Sequence, residues 1–227
     1  MSSTFEPRNV IFDLDGTLVD SLPGIASSIQ YAVRDYSANV SSAELRTLVG
    51  PPVRQILRRL LEPIPEPQLN RVEEEFRTAY DSWGWKQTEA FPSVLSTLGT
   101  LHEEGLRLFL FTNKPQYSAS KICDELGLTR FFSAMLSKDS REPGYISKAE
   151  MLQALVADFA LEIEDCLVVG DSQDDYLSAA QLKMEFVHAS YGYGRLTIAD
   201  SPVNARSIDS IDSFDALLEL CRRQNFA

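Results

Sequence analysis

Cysteine and histidine are scarce in this chain of 227 residues, which holds three of the first and two of the second. Cys123, Cys166 and Cys221 are scattered, make no CxxC pair and show no metal-ligand spacing. Zinc sites require clusters of Cys and His, so a zinc centre is excluded, and an odd number of separate thiols suits a reducing compartment. The lone His102 and His188 read as ordinary residues. Long apolar runs are missing too: no stretch of about 18 apolar residues occurs, so no membrane span is predicted. The opening "MSSTFEPRNV" has no apolar core of a signal peptide, and a cytoplasmic location is expected. Positive charge is short, with 21 Lys and Arg against 33 Asp and Glu and a net charge of −12. Nucleic-acid binding rests on clustered Lys and Arg. The densest basic spot, Arg54, Arg58 and Arg59, reads as a solvated helix face, so neither nucleic acid nor membrane is expected as a partner. The chain also lacks a GxxxxGK[ST] loop, which excludes a P-loop kinase, and "YGYGRL" (191–196) lacks the third glycine of a dinucleotide fingerprint.

What is present is an ordinary globular composition, 44% hydrophobic and 24% charged, in a chain long enough for a sizeable core. Four apolar runs read as buried parallel strands: 9–15, 106–112, 166–171 and 185–190, with a weaker fifth at 131–137. Helical patterns at 92–104, 115–126, 147–159 and 174–183 separate the later ones, with Gly105 and Gly127 at expected C-terminal caps. This alternation predicts an α/β fold built on a doubly wound parallel sheet. Residues 21–86 hold no convincing strand. They read instead as amphipathic helices, one placing Ile25, Ile29, Ala32, Val33 and Tyr36 on one face and another aligning Leu69, Val72, Phe76, Tyr80 and Trp83. Between them lie a capping box, Ser41 with Glu44, a stop at Gly50 before Pro51 and Pro52, and an apolar repeat at 53–61. So long an insertion exceeds an ordinary connection and predicts a helical subdomain at 18–86 inserted into a core made of 1–17 and 87–227.

In an open parallel sheet, ligands bind beyond the carboxyl ends of the strands. Three such ends carry chemistry here: "DLDGT", "FTNK" and "VGDSQDD". Asp13, Asp15, Thr112, Asn113, Asp171 and Asp175 are thereby expected on one rim. Several carboxylates so close cannot all ionise unless a cation intervenes, and oxygen-only donors point to a hard ion, Mg²⁺.

This constellation resembles the haloacid dehalogenase superfamily of phosphohydrolases, phosphoglycolate-phosphatase-like and with a helical cap, over essentially the whole chain. The first motif is Asp13-Leu14-Asp15-Gly16-Thr17; the second is Thr112, in a "TNKP" wording; the fourth is Gly170, Asp171 and Asp175, with Asp174 an extra acid. The third motif departs, because no Lys-Pro pair precedes the fourth. Lys148, at a helix start in "SREPGYISKAEML", is preferred for it and Lys138 is the alternative.

The resemblance implies a Rossmann-like core and a phosphomonoester hydrolase in which Asp13 is the nucleophile and Asp15 the acid and base. Mg²⁺ would be held by Asp13, Asp15 through its backbone carbonyl, Asp171 and Asp175, and the phosphoryl oxygens by Thr112, the Asn113 backbone N–H and Lys148. Asp15 excludes the dehalogenase branch, the lack of a lysine before Lys86 in the insertion excludes the phosphonatases, and "LVDSLPG" after the first motif lacks the mutase histidine. "LVGPPVRQIL" resembles a substrate-facing loop, whose Arg54 would meet a carboxylate or second anion or else merely sit on a cap helix. The expected partner is a small phosphorylated metabolite, 2-phosphoglycolate first, with a 5′-nucleotide, pyrophosphate or sugar phosphate open, and the chain is expected as a monomer or homodimer. A non-catalytic binding protein of the same fold is the alternative in another class.

Overall fold

The computed structural model describes residues 7–36, 45, 52–194, 196, 197 and 208–223. The chain forms two compact units, Met1–Val19 with Ala90–Ala227, and Asp20–Glu89. The crossings fall a few residues further along than the sequence reading placed them. They lie within two short paired strands, β2 (Val19–Asp20) and β3 (Glu89–Ala90).

The first unit is built on β1 (Asn9–Phe12), β4 (Arg107–Thr112), β5 (Phe132–Ser137), β6 (Cys166–Gly170), β7 (Glu185–Ala189) and β8 (Ile208–Ile211). They form one six-stranded sheet in the order β5-β4-β1-β6-β7-β8, with every pairing parallel. Parallel strands covered on both faces read as continuous apolar runs. Val10, Ile11 and Phe12 in β1, Leu108 to Phe111 in β4, and Cys166 to Val169 in β6 are accordingly buried. Helices α4 (Val94–Glu103), α5 (Gln116–Glu125), α6 (Lys148–Asp158), α7 (Gln173–Gln181) and α8 (Ala216–Arg223) complete the unit. On one face Met151, Leu152 and Leu155 of α6 and Tyr176, Ala179 and Ala180 of α7 close over Ile11, Phe109, Val168 and Phe186. On the sheet's central strand, the Phe12 ring meets Phe214 at 5.7 Å between centroids. Gly105 and Gly127 take φ of 87° and 67°, and each is followed by a backbone N–H that closes the preceding helix, from Leu106 to the Leu101 carbonyl and from Leu128 to the Cys123 carbonyl.

Two departures from the sequence expectation concern strands. β8 was not foreseen, because its "IDSI" lies at the sheet edge and sets two adjacent polar residues between its isoleucines, which breaks the apolar run. β1 ends at Phe12 rather than reaching residue 15. Beyond it the Leu14 carbonyl accepts from the N–H groups of Thr17, Leu18 and Val19, folding the acidic segment into a tight turn.

The second unit packs α1 (Leu22–Ala32), α2 (Val53–Leu61) and α3 (Glu66–Ser82), followed by a single 3₁₀ turn at Gly84–Gln87. Ile29, Ile56, Leu57, Leu69, Val72, Phe76 and Tyr80 form its interior. The buried face of α1 includes Gly24 and Ser28, whereas Ile25 and Tyr36 are only half-buried. Small residues face inward because the Gly84 backbone comes so close that a Cβ on Gly24 would lie 2.1 Å from its carbonyl oxygen. Trp83 terminates α3 largely at the surface, edge-on to Tyr31. The expected Ser41–Glu44 capping box and the Gly50–Pro51 stop lie outside the described residues. Among the described residues no helix is long and apolar enough to cross a membrane.

Candidate active site

β1 sits between β4 and β6, so its carboxyl end is flanked by theirs, and the register sets their heights. Phe12 is level with Leu110 of β4 and Val169 of β6, which brings Asp13 beside the last residues of both neighbours. The Asp13 N–H continues the ladder for one further bond, to the Val169 carbonyl at 3.0 Å. Asp13, Asp171 and Asp175 are all buried, and one carboxylate oxygen of each lies within 4.8 Å of the others.

Lys148 closes this group. It is the first residue of α6, held there because the Ser147 side chain accepts the Glu150 N–H at 3.1 Å as an N-cap. Its ammonium is 3% exposed, pairs with both Asp13 and Asp175, and lies 4.5 Å from the centroid of the Phe111 ring. Burial works against its charge, but the two carboxylates outweigh burial and hold the lysine above its ordinary pKa. Lys138, the alternative, is exposed, and its N–H bonds the Thr112 carbonyl instead.

Asp175 is fixed from the other side. It is the third residue of α7, and one of its oxygens accepts the Ser172 N–H at 3.0 Å and the Ser172 hydroxyl at 2.7 Å, while the hydroxyl accepts the Asp175 N–H in return. Asp171 is clasped by a glycine-containing turn. One carboxylate oxygen accepts the N–H groups of Tyr193 (3.1 Å) and Gly194 (2.7 Å), and the His188 Nε2 lies 3.2 Å from its backbone carbonyl. Gly16, at φ 84°, faces the same carboxylate so closely that a Cβ there would sit 2.0 Å from it.

Burial is the first cause that pushes Asp13 and Asp171 upward, and their acidic neighbours add to it. Asp171 reaches about 7 even with two backbone donors opposing the shift, and Asp13 stands well above the usual carboxylate range despite Lys148. One ammonium therefore does not balance three carboxylates. The donors are oxygen only, buried and convergent, which fits a hard divalent cation and not zinc or a soft metal.

The remaining sequence-expected residues are distributed less simply. The Asp15 carboxylate lies outside the three-acid group and is about a quarter exposed, so only its backbone carbonyl remains as the ligand the resemblance implies. It stands in the turn beyond β1, since the strand has already ended at Phe12. Its carboxylate is instead gripped by Lys114, whose Nζ lies 2.8 and 3.1 Å from the two oxygens. Lys114 stands within "TNKP", where the sequence motif assigns it no role. Its place directly after the Thr112–Asn113 pair at a strand end was the available signal. Thr112 is 1% exposed and its hydroxyl accepts the Lys114 N–H at 3.1 Å. Asn113 is exposed, and its side chain donates to Asp174 at 2.7 Å, which gives that extra acid a partner. Arg54, in the helical unit, spends its guanidinium on Glu66, Glu73 and Asn70, the arrangement of a helix-surface arginine.

Comparison with known proteins agrees with this geometry. The model of a family described as haloacid dehalogenase-like hydrolase matches residues 10–189. A phosphoglycolate phosphatase of Pseudomonas fluorescens is 32% identical over 224 residues, covering 95% of this chain and 80% of that protein. A tyrosine-protein kinase, PtkA, of Mycobacterium tuberculosis is 32% identical over 199 residues, covering 86% of this chain and 66% of that protein. Among solved structures, a predicted phosphoglycolate phosphatase from Haemophilus somnus superposes with a TM-score of 0.80 at 28% identity, covering 97% of this chain and 99% of that one.

Proposed function

Because the chain belongs to the haloacid dehalogenase-like hydrolase family and is a phosphatase, we propose that it hydrolyses a small phosphomonoester, 2-phosphoglycolate first, through a phosphorylated Asp13. The observation that carries this reading is the placement of Asp13 at the end of the central strand, beside a buried ammonium and two further buried carboxylates. The relative from Pseudomonas fluorescens supports the choice of substrate.

An Asp13 oxygen attacks phosphorus and the bond from phosphorus to the substrate oxygen breaks. That oxygen leaves with a proton from Asp15. Asp15, now a carboxylate, takes a proton from water as the water attacks the acyl phosphate, and the bond to Asp13 breaks to release inorganic phosphate. Lys148 and the Thr112 hydroxyl, with the Asn113 backbone N–H, would hold the phosphoryl oxygens where charge concentrates. Asp13, Asp171, Asp175 and the Asp15 carbonyl would hold Mg²⁺, which supplies charge neutralisation on those oxygens.

The test is phosphate release with and without Mg²⁺ from 2-phosphoglycolate, 5′-nucleotides, sugar phosphates, pyrophosphate and ATP, beside an Asp13→Asn control. Metal-dependent release, greatest with 2-phosphoglycolate and lost in Asp13→Asn, is expected. Turnover that survives Asp13→Asn would refute the mechanism, and preference for another compound would refute the substrate.

A further inference from the structure

Two lysines serve the acids of this site, and they divide the work. Lys148 pairs with Asp13 and Asp175, whereas Lys114 contacts Asp15, with both carboxylate oxygens in reach of its Nζ. Asp15 is the least constrained of the acids. It belongs to a turn instead of a strand, next to Gly16 at positive φ, and its side chain is 24% exposed. Lys114 is the opposite, with a side chain only 5% exposed. Its main chain is anchored by the Thr112 hydroxyl on one side and, on the other, by Pro115 at the start of α5. A side chain with three rotatable bonds beyond Cβ is thus fixed at its base, buried along its length, and ends on the acid that stands in the turn beyond β1.

We propose that Lys114 is a positioning residue for Asp15. It holds the carboxyl group in the orientation from which its acid form passes a proton to the leaving oxygen and its carboxylate form later takes one from water. The inference rests on the reading of Asp15 as the acid and base. It assigns Lys114 no contact with the reacting atoms, which separates it from Lys148. Displacing a reacting group by about 1 Å costs about 10²-fold in rate, and this is the loss expected when the grip is released.

The test compares Lys114→Met, Lys114→Arg and Asp15→Asn on two substrates, 2-phosphoglycolate and 4-nitrophenyl phosphate. The first expels an alkoxide, which needs a proton. The second expels a phenolate, which departs without one, so only hydrolysis of the acyl phosphate still needs Asp15. Lys114→Met is expected to lower kcat on 2-phosphoglycolate about 10²-fold without raising KM. On 4-nitrophenyl phosphate it is expected to give a stoichiometric burst of nitrophenolate followed by slow turnover. Lys114→Arg, which retains paired N–H donors for the carboxylate, is expected to recover part of kcat and to shrink the burst. A rise in KM with kcat preserved would make Lys114 a substrate contact and overturn the proposal. Loss of activity without a burst, in protein whose circular dichroism and melting are unchanged, would overturn it as well. Should Lys114→Met fail to fold, Lys114→Gln carries the same burst measurement. Asp15→Asn keeps the two failures apart: if it shows no burst while Lys114→Met does, the reading of Asp15 is at fault; if it shows the burst and Lys114→Met does not, the role of Lys114 is.

Discussion

At the scale of single residues, the site is a problem of charge. Three buried carboxylates face one buried ammonium, and taking that ammonium away leaves Asp13 and Asp175 without the cation that pairs with both. Breaking a buried pair typically costs about 3–5 kcal/mol. Lys148→Met is therefore expected to destabilise the metal-free protein by about 3 kcal/mol at neutral pH, and to lower phosphatase activity strongly. Denaturant unfolding with and without Mg²⁺ checks this, since added cation should recover a larger share of stability in the variant than in the parent. Asp13 and Asp171 were legible from sequence because each directly follows an apolar strand, and strand ends of a parallel sheet share one edge; Asp175 was legible four residues after Asp171, at the start of the helix that follows. The lysines were less legible. Lys148 lies in a helix start whose approach to Asp13 depends on tertiary packing, and Lys114 lies in a loop whose side-chain direction no periodicity fixes.

At the scale of elements, helix starts do the positioning. Ser147 caps α6 and so sets Lys148; Ser172 caps α7, and the acid that completes its capping box is Asp175 itself. One carboxylate thus joins a helix terminus to the acidic cluster. Ser172→Ala is expected to cost about 1 kcal/mol of stability and also to weaken Mg²⁺ binding, because Asp175 loses a hydroxyl donor worth 2.7 Å of close contact. Urea unfolding and isothermal titration with Mg²⁺ measure the two effects separately. A loss of stability with unchanged metal affinity would show that the cap and the ligand role are independent. The sheet was legible where strands are buried on both faces, as in β1, β4, β6 and β7. It was not legible at β8, where an edge strand tolerates Asp209 and Ser210. The end of β1 was misjudged because Leu14 continues the apolar alternation, while the turn that folds 14–19 back on itself is set by backbone hydrogen bonds to a single carbonyl.

At the scale of the whole molecule, the two-unit division follows from composition, since residues 21–86 carry helical periodicity and the flanking segments carry strands. The boundaries were harder to read because β2 and β3, two residues each, give no periodic signal. A chain with a net charge of −12 gains from cations in general, but the site makes a sharper demand. In the metal-free folded state Asp171 is held up to about 7 by burial and Asp175, against about 3.9 in an unfolded chain. Between those values the folded state keeps a proton that the unfolded state has lost, so this contribution to stability falls as pH rises from about 4 to 7. A bound cation must displace that proton. The rise in Tm on adding Mg²⁺ is accordingly expected to be small at pH 5 and larger at pH 8, as scanning fluorimetry would read. A shift independent of pH would mean that the cation binds away from Asp171.

The central claim is that Asp13 becomes phosphorylated, and rapid quenching in turnover followed by borohydride reduction tests it most directly. An acyl phosphate is reduced to the alcohol, so mass spectrometry of the peptide holding residue 13 should show homoserine in place of Asp13. It should appear only when substrate and Mg²⁺ are both supplied. Reduction at another carboxylate, or none at all in enzyme caught turning over 4-nitrophenyl phosphate with Asp15→Asn slowing only the second step, would contradict the account.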